Sequence, residues 1–335
     1  MIDYKVGIIG CGKILQRHIE SVNENENFEL VALCDVQPQI LDSVTKRFNV
    51  EGFLDYKKMA SSSSVNFVVV ASPNSLHVEQ AKYCLAKGND VLVEKPVSLD
   101  PSQVSELSNC AKKNGQKAYS VLQVRLNPAI QTTKKVLDLG LLGNIRGISL
   151  VQRWQRPYEY FSGWRSLPDI GGGTLYECGI HYLDILDQLL GLPKVVASST
   201  YSTKHTSSEI EDTIYSIFDF GQFGGTMEVT VSAEPHNLEC SLSILGSNGY
   251  LKLGGKAMNV IESANFLSNG CKVEYDNLLR TQNIPNKPNS YGSYAGSCPN
   301  HPQLYSSLGD FDIMQAKNSI SLIDEIYSSA GLRYY

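Results

Sequence analysis

Val6-Gly7-Ile8-Ile9-Gly10-Cys11-Gly12-Lys13-Ile14-Leu15 runs apolar, breaks at Gly10 and Gly12, and resumes with helical spacing. A strand, a glycine turn and a helix in that order form the context that a dinucleotide loop requires. The first glycine permits a tight turn, and the second lets a pyrophosphate approach the N–H groups at a helix start. Leu15 stands where the pattern has a third small residue, which implies a looser approach of helix to strand. Asp35 follows the next apolar run, Glu29–Cys34. A carboxylate there hydrogen-bonds ribose hydroxyls and repels a 2′-phosphate, so NAD is the expected cofactor. Gly10, Gly12, Lys13, Ile14 and Asp35 are the residues expected to hold it. A glycine turn that binds nothing is the competing reading, and the agreement of loop, Asp35 and strand order stands against it.

Outward from that loop, short apolar runs alternate with helical stretches. Lys5–Ile9, Glu29–Cys34, Asn66–Ala71, Asp90–Val93 and Gln116–Val121 read as strands. Ile14–Glu24, Gln39–Phe48, Ser75–Lys87 and Pro101–Asn114 read as helices between them. Continuous Val, Ile and Leu runs separated by helices predict strands buried on both faces, hence a doubly wound parallel α/β sheet. A further helix spans Pro128–Leu139, and the pattern changes after about residue 145. Ile145–Trp154 alternates, Arg156–Gly173 is a polar and aromatic loop, and Thr174–Leu190 is a long helix. Val195–Thr203, Glu211–Phe220, Gly224–Ala233, Leu238–Leu245 and Tyr250–Leu253 then follow one another like hairpins. The expectation is a Rossmann domain over residues 1–122 and a substrate-binding and oligomerisation domain over 123–335. The second is α+β with an open, mostly antiparallel sheet, whose free face would join a homodimer or homotetramer. Residues 281–303 read as a long loop, and the last helix, Gly309–Ser328, is expected to pack back on the first domain.

Composition narrows the function classes. The chain has 335 residues, 29 basic and 34 acidic, for a net charge of −5, and 42% of it is hydrophobic. That balance carries no basic block for nucleic acid, and the longest apolar runs are too short to span a bilayer. The chain enters its first strand at once, so a cytoplasmic location without a leader is expected. The eight cysteines are scattered without a CxxC pair, which argues against a disulfide framework or a metal centre.

The residues that would do chemistry cluster at strand ends and on one helix. Ser72-Pro73-Asn74 follows the third strand and Glu94-Lys95-Pro96 the fourth, at the carboxyl edge where doubly wound sheets bind ligands. Lys95 there can hydrogen-bond a substrate hydroxyl or take its proton, whereas a surface lysine paired with Glu94 is the plainer alternative. His18 and His77 read first as packed, hydrogen-bonded histidines. Glu177, His181 and Asp184 share a helix face by their i, i+4, i+7 spacing. His181 would then be a general base with Glu177 or Asp184 orienting its ring, a solvated polar face and a metal site being the alternatives. Gly171-Gly172-Gly173 before this helix offers close backbone approach to an anion or a sugar ring. Arg125, Arg153, Arg156 and Arg165 suit an anionic substrate. Trp154, Tyr158, Tyr160 and Trp164 can stack on a sugar or a base, or pack structurally.

Taken together these residues resemble the Gfo/Idh/MocA family of NAD(P)-dependent sugar oxidoreductases. The resemblance rests on the Gly10-x-Gly12 loop, Ser72-Pro73-Asn74 with His77, Glu94-Lys95-Pro96, and Gly179-Ile180-His181-Tyr182-Leu183-Asp184. It implies that Lys95 and His181 line the reaction centre, with Glu177 and Asp184 beside them. It also implies that Ser72, Pro73, Asn74, His77, Glu94, Lys95 and Gln123 border the cofactor. Within the family the chain is similar to bacterial 3-dehydrogenases of UDP-N-acetylglucosamine and its uronate. Gln123-Val124-Arg125-Leu126-Asn127-Pro128, Arg153-Trp154-Gln155-Arg156-Pro157-Tyr158-Glu159-Tyr160, Trp164-Arg165 and His301-Pro302-Gln303-Leu304-Tyr305 carry that likeness. It implies a nucleotide-sugar substrate touched by Arg125, Asn127, Arg153, Arg156, Tyr158, Tyr160, Trp164, Arg165, Gly173, His181 and His301. It further implies a place in diamino-sugar synthesis for surface polysaccharides. Glu177 departs from that group, which carries Asn there, and inositol dehydrogenases have a carboxylate instead. A free-sugar or inositol dehydrogenase is therefore the alternative, and a non-catalytic NAD-binding sensor an alternative of another class.

Overall fold

The computed structural model describes residues 2–281 and 300–332. Contacts divide the chain into two units, Met1–Leu122 with His301–Ile320, and Gln123–Asn300 with Ser321–Tyr335. The sequence reading put residues 123–335 in the second domain with the last helix, Gly309–Ser328, packing back on the first; the returning segment is instead His301–Ile320, beginning before that helix and ending within it. Most of the expected 281–303 loop, and Cys298, lie outside the described residues.

In the first unit, β1 (Tyr4–Ile9), β2 (Phe28–Cys34), β3 (Glu51–Phe53), β4 (Phe67–Val70), β5 (Asp90–Val93) and β6 (Ala118–Ser120) form one sheet. The order is β3-β2-β1-β4-β5-β6, and every pairing is parallel. Val6, Ile8, Phe67–Val70 and Val91–Val93 are buried, as strands covered on both faces must be. Helices α1 (Leu15–Asn23), α2 (Pro38–Phe48), α3 (Tyr56–Ala60), α4 (His77–Ala86) and α5 (Pro101–Asn114) link the strands. The bounds of α5 match the sequence reading because both ends are capped. Asp100 accepts from the Ser102 N–H at 2.7 Å, Pro101 opens the helix and Gly115 closes it at φ 68°. The short strand β3 escaped the sequence reading, since Glu51–Phe53 has no apolar run.

The returning segment completes this unit. Phe311 O accepts from the Ser120 N–H at 2.9 Å, and Asp312 bridges to Tyr119, next to β6. Rings of Tyr4, Phe28, Phe67, Tyr119 and Tyr305 form a continuous aromatic row, with Phe67 fully buried among them.

The second unit contains α6 (Pro128–Asp138), β7 (Ile145–Arg153), α7 (Pro168–Gly171) and α8 (Ile180–Leu190), then β8 (Lys194–Tyr201), β9 (Thr213–Asp219), β10 (Gly224–Thr230), β11 (Glu239–Gly246), β12 (Gly249–Gly254) and β13 (Val260–Phe266). After these come α9 (Asn269–Thr281), α10 (His301–Ser306) of the first unit, and α11 (Lys317–Ser329), which belongs partly to each. The sheet order is β13-β12-β11-β7-β10-β9-β8. All of its pairings are antiparallel except β10 with β7, so the run of hairpins expected from sequence is interrupted at the centre. β13 and α9 were missed, because Val260–Phe266 alternates weakly and Asn269–Thr281 is largely polar. Along β9, Ile214, Ser216 and Phe218 are buried while Tyr215 and Ile217 are exposed, the period-two pattern of a sheet covered on one side.

Phe67→Ala should lower stability by about 3–5 kcal/mol, because the ring is central to the aromatic row and its neighbours cannot close the gap. A urea unfolding curve with a lowered midpoint and unaltered slope is the expected result.

Candidate active site

The parallel order brings the loops after β1, β4 and β5 to one edge of the first sheet. Gly10 has φ +97°, and a Cβ there would lie 2.4 Å from Ala71 O, so only glycine fits. Gly12 borders open space, Lys13 is exposed, and Ile14 directly precedes α1. Asp35 ties this loop to the end of β2. Its Oδ2 accepts from the Cys11 N–H and its Oδ1 from the Gln37 N–H, both at 2.9 Å. A carboxylate has about four lone-pair sites, so acceptor capacity remains for ribose hydroxyls. Burial, and Asp35 beside it, push the Cys11 thiol up to about 12, which keeps it a protonated, inert neighbour of the loop. A glycine cradle that a Cβ would fill, opening on a helix start beside a strand-end carboxylate, fits a bound dinucleotide.

The turns after β4 and β5 are tied together by His77. Its Nδ1 lies 2.7 Å from Pro96 O and its Nε2 2.8 Å from Ser72 O. Ser72 Oγ donates to Gln80 at 2.6 Å, and Asn74 is buried next to it. The packed histidine expected at His77 is thus what the structure has, and its place joins the Ser72 turn to the Lys95 turn. Glu94 points into a buried cluster of the first unit. Burial and Glu94 hold the Tyr305 phenol well above its usual range, and its hydroxyl lies 2.9 Å from His18 Nδ1. His18 Nε2 lies 3.1 Å from Glu94 Oε1, while Glu94 Oε2 accepts from the Lys95 N–H at 3.0 Å. His301 Nε2 stands 3.8 Å from the same carboxylate, with its ring edge-on to His18. Burial opposes the charge on Glu94, but His18 and His301 outweigh it and hold the carboxyl well below its usual range. Burial also pushes His301 down. Glu94 therefore braces the Lys95 N–H, with His301 packed behind it.

In the second unit the helix with His181 begins unusually. Gly173 has φ +93°, and the Thr174 N–H donates to Glu211 Oε1 at 2.8 Å. The Tyr327 hydroxyl accepts from the Leu175 N–H at 2.9 Å and donates to Glu211 at 2.6 Å. Leu175–Gly179 is a π turn, with the Ile180 N–H reaching back to Leu175 O, and regular α8 follows. The wider turn rotates Glu177 relative to plain α spacing, and such turns recur at functional sites. Glu177 Oε2 accepts from Arg165 Nε at 3.1 Å and from the Tyr160 hydroxyl at 3.2 Å. Burial, with Cys178 and Glu177 adjacent, holds the Tyr160 phenol well above its usual range, so it stays a donor. Asp184 does not orient His181. Its two oxygens take Arg125 Nε at 2.7 Å and Arg125 Nη2 at 2.6 Å, deep in the unit. Burial pushes the Asp184 carboxyl up against the opposing pull of Arg125.

The remaining arginines separate by strand alternation. Trp154 is buried and meets Tyr182 of α8 edge-to-face, so Arg153, one residue earlier, projects from the opposite, open face. There it pairs with Glu228 at 2.5 Å and Glu239 at 3.3 Å, which removes it from the substrate residues. Arg156 stacks over the rings of Trp154 and Tyr160, 4.6 and 5.2 Å away, and has no carboxylate partner among the described residues. Trp164 lies beside Arg165, and exposed Tyr158 lies over Lys204. Asn127 is a buried brace, donating to Ala257 O at 3.0 Å and accepting from Asn300 at 2.7 Å. Asn300 also donates to Gln123 O. Sequence reasoning missed Glu211 and Tyr327, whose capping of the π turn joins residues far apart in the chain. Among the described residues no cluster of three or more His, Cys, Asp or Glu side chains could hold a metal ion, and no helix is long and apolar enough to cross a membrane.

Comparison with known proteins follows this geometry. Residues 4–122 match the NAD-binding Rossmann fold of an oxidoreductase family, and residues 130–252 match the GFO/IDH/MocA C-terminal domain. A scyllo-inositol 2-dehydrogenase (NADP(+)) of Bacillus subtilis is 28% identical over 204 residues, covering 59% of this chain and 62% of that protein. The WlbA dehydrogenase of Bordetella pertussis, solved with NADH and UDP-GlcNAcA, is 27% identical with a TM-score of 0.85. The likeness covers 100% of this chain and 98% of that one. The WlbA enzyme of Chromobacterium violaceum, in complex with the same two ligands, is 26% identical with a TM-score of 0.87, over 99% and 94% of the two chains.

Two variants report on these networks. Asp184→Ala should cost about 3–5 kcal/mol, since it leaves the buried Arg125 charge unanswered, and chemical unfolding would show it. Glu94 has a depressed folded pKa, so its contribution is present above about pH 4.3 and lost as pH falls through the folded value. The stability gap between wild type and Glu94→Gln should therefore be widest near neutrality and shrink in acid, as thermal midpoints across pH would record.

Proposed function

The chain belongs to the Gfo/Idh/MocA oxidoreductase family, and we propose that it oxidises the C3 hydroxyl of a UDP-N-acetylhexosamine or its uronate to the 3-keto sugar. What carries this reading is the likeness, over nearly the whole chain, to two dehydrogenases solved with NADH and UDP-GlcNAcA. NAD, when bound, supplies the acceptor for the hydride that leaves the sugar carbon. Gly10, Gly12, Lys13, Ile14 and Asp35 would hold it, with Ser72, Pro73, Asn74 and Gln123 toward the reacting end. We assign Lys95 and His181 to the reacting hydroxyl on the strength of the family motifs that carry them. His181 takes the proton, and Lys95 donates to the oxygen as negative charge develops there. Glu177 sets the electrostatics of the His181 helix, and Arg156, with no carboxylate of its own, is the guanidinium left for a substrate phosphate. Gly173 gives the sugar close backbone approach. The product would feed an aminotransferase in cytoplasmic synthesis of a surface-polysaccharide sugar. The open face of the second sheet exposes Val196, Tyr201, Tyr215 and Ile217 and would join a homodimer or homotetramer.

A second reading, oxidation of a free sugar or inositol, is favoured by Glu177 and by the inositol dehydrogenase relative. NADH absorbance with a panel of UDP-sugars, free sugars and inositols separates the two, and turnover of only the free polyols would overturn the first.

His181→Ala and Lys95→Ala should each lower kcat by about 10²–10⁴-fold while NAD affinity stays near wild type. Retention of more than about a tenth of the turnover by both variants would remove these residues from the chemistry. Asp35→Ala should narrow the preference for NAD over NADP, read as the ratio of dissociation constants by calorimetry.

A further inference from the structure

The charges around the His181 helix allow a step that rests on the nucleotide-sugar reading and refines it. We propose that the Glu177–Arg165 pair makes the site selective for a hexose uncharged at C6, so that the neutral sugar and not its uronate is the substrate.

A uronate brings a carboxylate that must find a cation when it leaves water. The arginines that sequence reasoning offered for that purpose are mostly committed. Arg125 is bidentate on Asp184, Arg165 is bound to Glu177, and Arg153 lies on the opposite face of the sheet with Glu228 and Glu239. Arg156 is left, and a UDP-sugar already carries phosphates for it. Glu177 is itself 6% exposed, and Glu211 adds a further buried carboxylate at the start of the same helix.

Distance makes this balance matter. Glu177 lies four residues before His181, in the π turn that leads into the same helix, so a hexose held at His181 would bring other ring substituents toward the Glu177–Arg165 pair. A second carboxylate brought against the buried Glu177 meets like charge with reduced screening. A neutral hydroxymethyl group can instead donate to Glu177. Arg165 moderates the effect, since its Nε–H donates to Glu177 Oε2 at 3.1 Å, beside the Tyr160 hydroxyl on the same oxygen.

The test uses the purified full chain with NAD and compares initial rates on UDP-N-acetylglucosamine and its uronate. Wild type should favour the neutral sugar by at least about tenfold in kcat/KM. Glu177→Gln frees the Arg165 charge and should cut that ratio about tenfold. Arg165→Ala exposes the Glu177 charge and should widen it. Opposite movements from the two halves of one pair cannot come from a general loss of fold. A wild type that prefers the uronate, or a ratio unmoved or moved alike in both variants, would overturn the proposal. If neither UDP-sugar is oxidised, the nucleotide-sugar reading falls, and the same three proteins are compared on methyl glucoside and methyl glucuronide. The neutral sugar must lead there too, by turnover or by affinity in the presence of NAD, and parity would overturn the charge rule as well.

Discussion

A carboxylate taken out of water must be answered by a donor or a cation, and that constraint organises both units of this chain. Glu94 is answered by His18 and the Lys95 N–H, Asp184 by Arg125, Glu177 by Arg165 and Tyr160, and Glu211 by Thr174 and Tyr327. Two of these pairings fix backbone next to residues proposed for the chemistry. Glu94 holds the end of β5 where Lys95 begins, and Glu211 winds the π turn that leads to His181. Such pairs add little net stability compared with apolar packing, but losing one partner is costly. Their evident effect is to restrict where the reactive residues can stand.

The fold was legible where burial dictates composition. β1, β4 and β5 are covered on both faces and read as unbroken Val, Ile, Leu and Phe runs, and α5 shows both its caps in the sequence. Elements that depend on edges or partners were not legible. β3 has three residues and little apolar character, β13 alternates weakly, and the parallel pairing of β10 with β7 is a property of topology, which local pattern does not encode.

The positions of the candidate residues were legible, their partners much less so. Lys95 at a strand end, Gly10 in its turn and Asp35 after β2 follow from the doubly wound pattern. The arginines were read as a group because they were expected near one cleft in an otherwise acidic chain. Yet Arg153 and Trp154 are neighbours whose side chains leave opposite faces of β7, so strand alternation alone separates them. Asp184 was given to His181 on helical spacing, and its partner is Arg125, fifty-nine residues earlier in the chain. Spacing says which groups share a face, while burial decides which of them must be neutralised.

The returning segment has a consequence for how the protein is made. The groups around Glu94 are His18, which precedes it in the chain, and His301 and, behind His18, Tyr305, which follow most of the second unit in the chain. Domains usually mature from the N-terminus as synthesis proceeds. Here the parallel sheet can assemble early, but the backbone at Lys95 lacks its final bracing until the second unit has been translated. The edge that would meet the cofactor is thus finished only after residues 301–305 have been made, so a shorter nascent chain carries the glycine loop without the bracing behind Lys95.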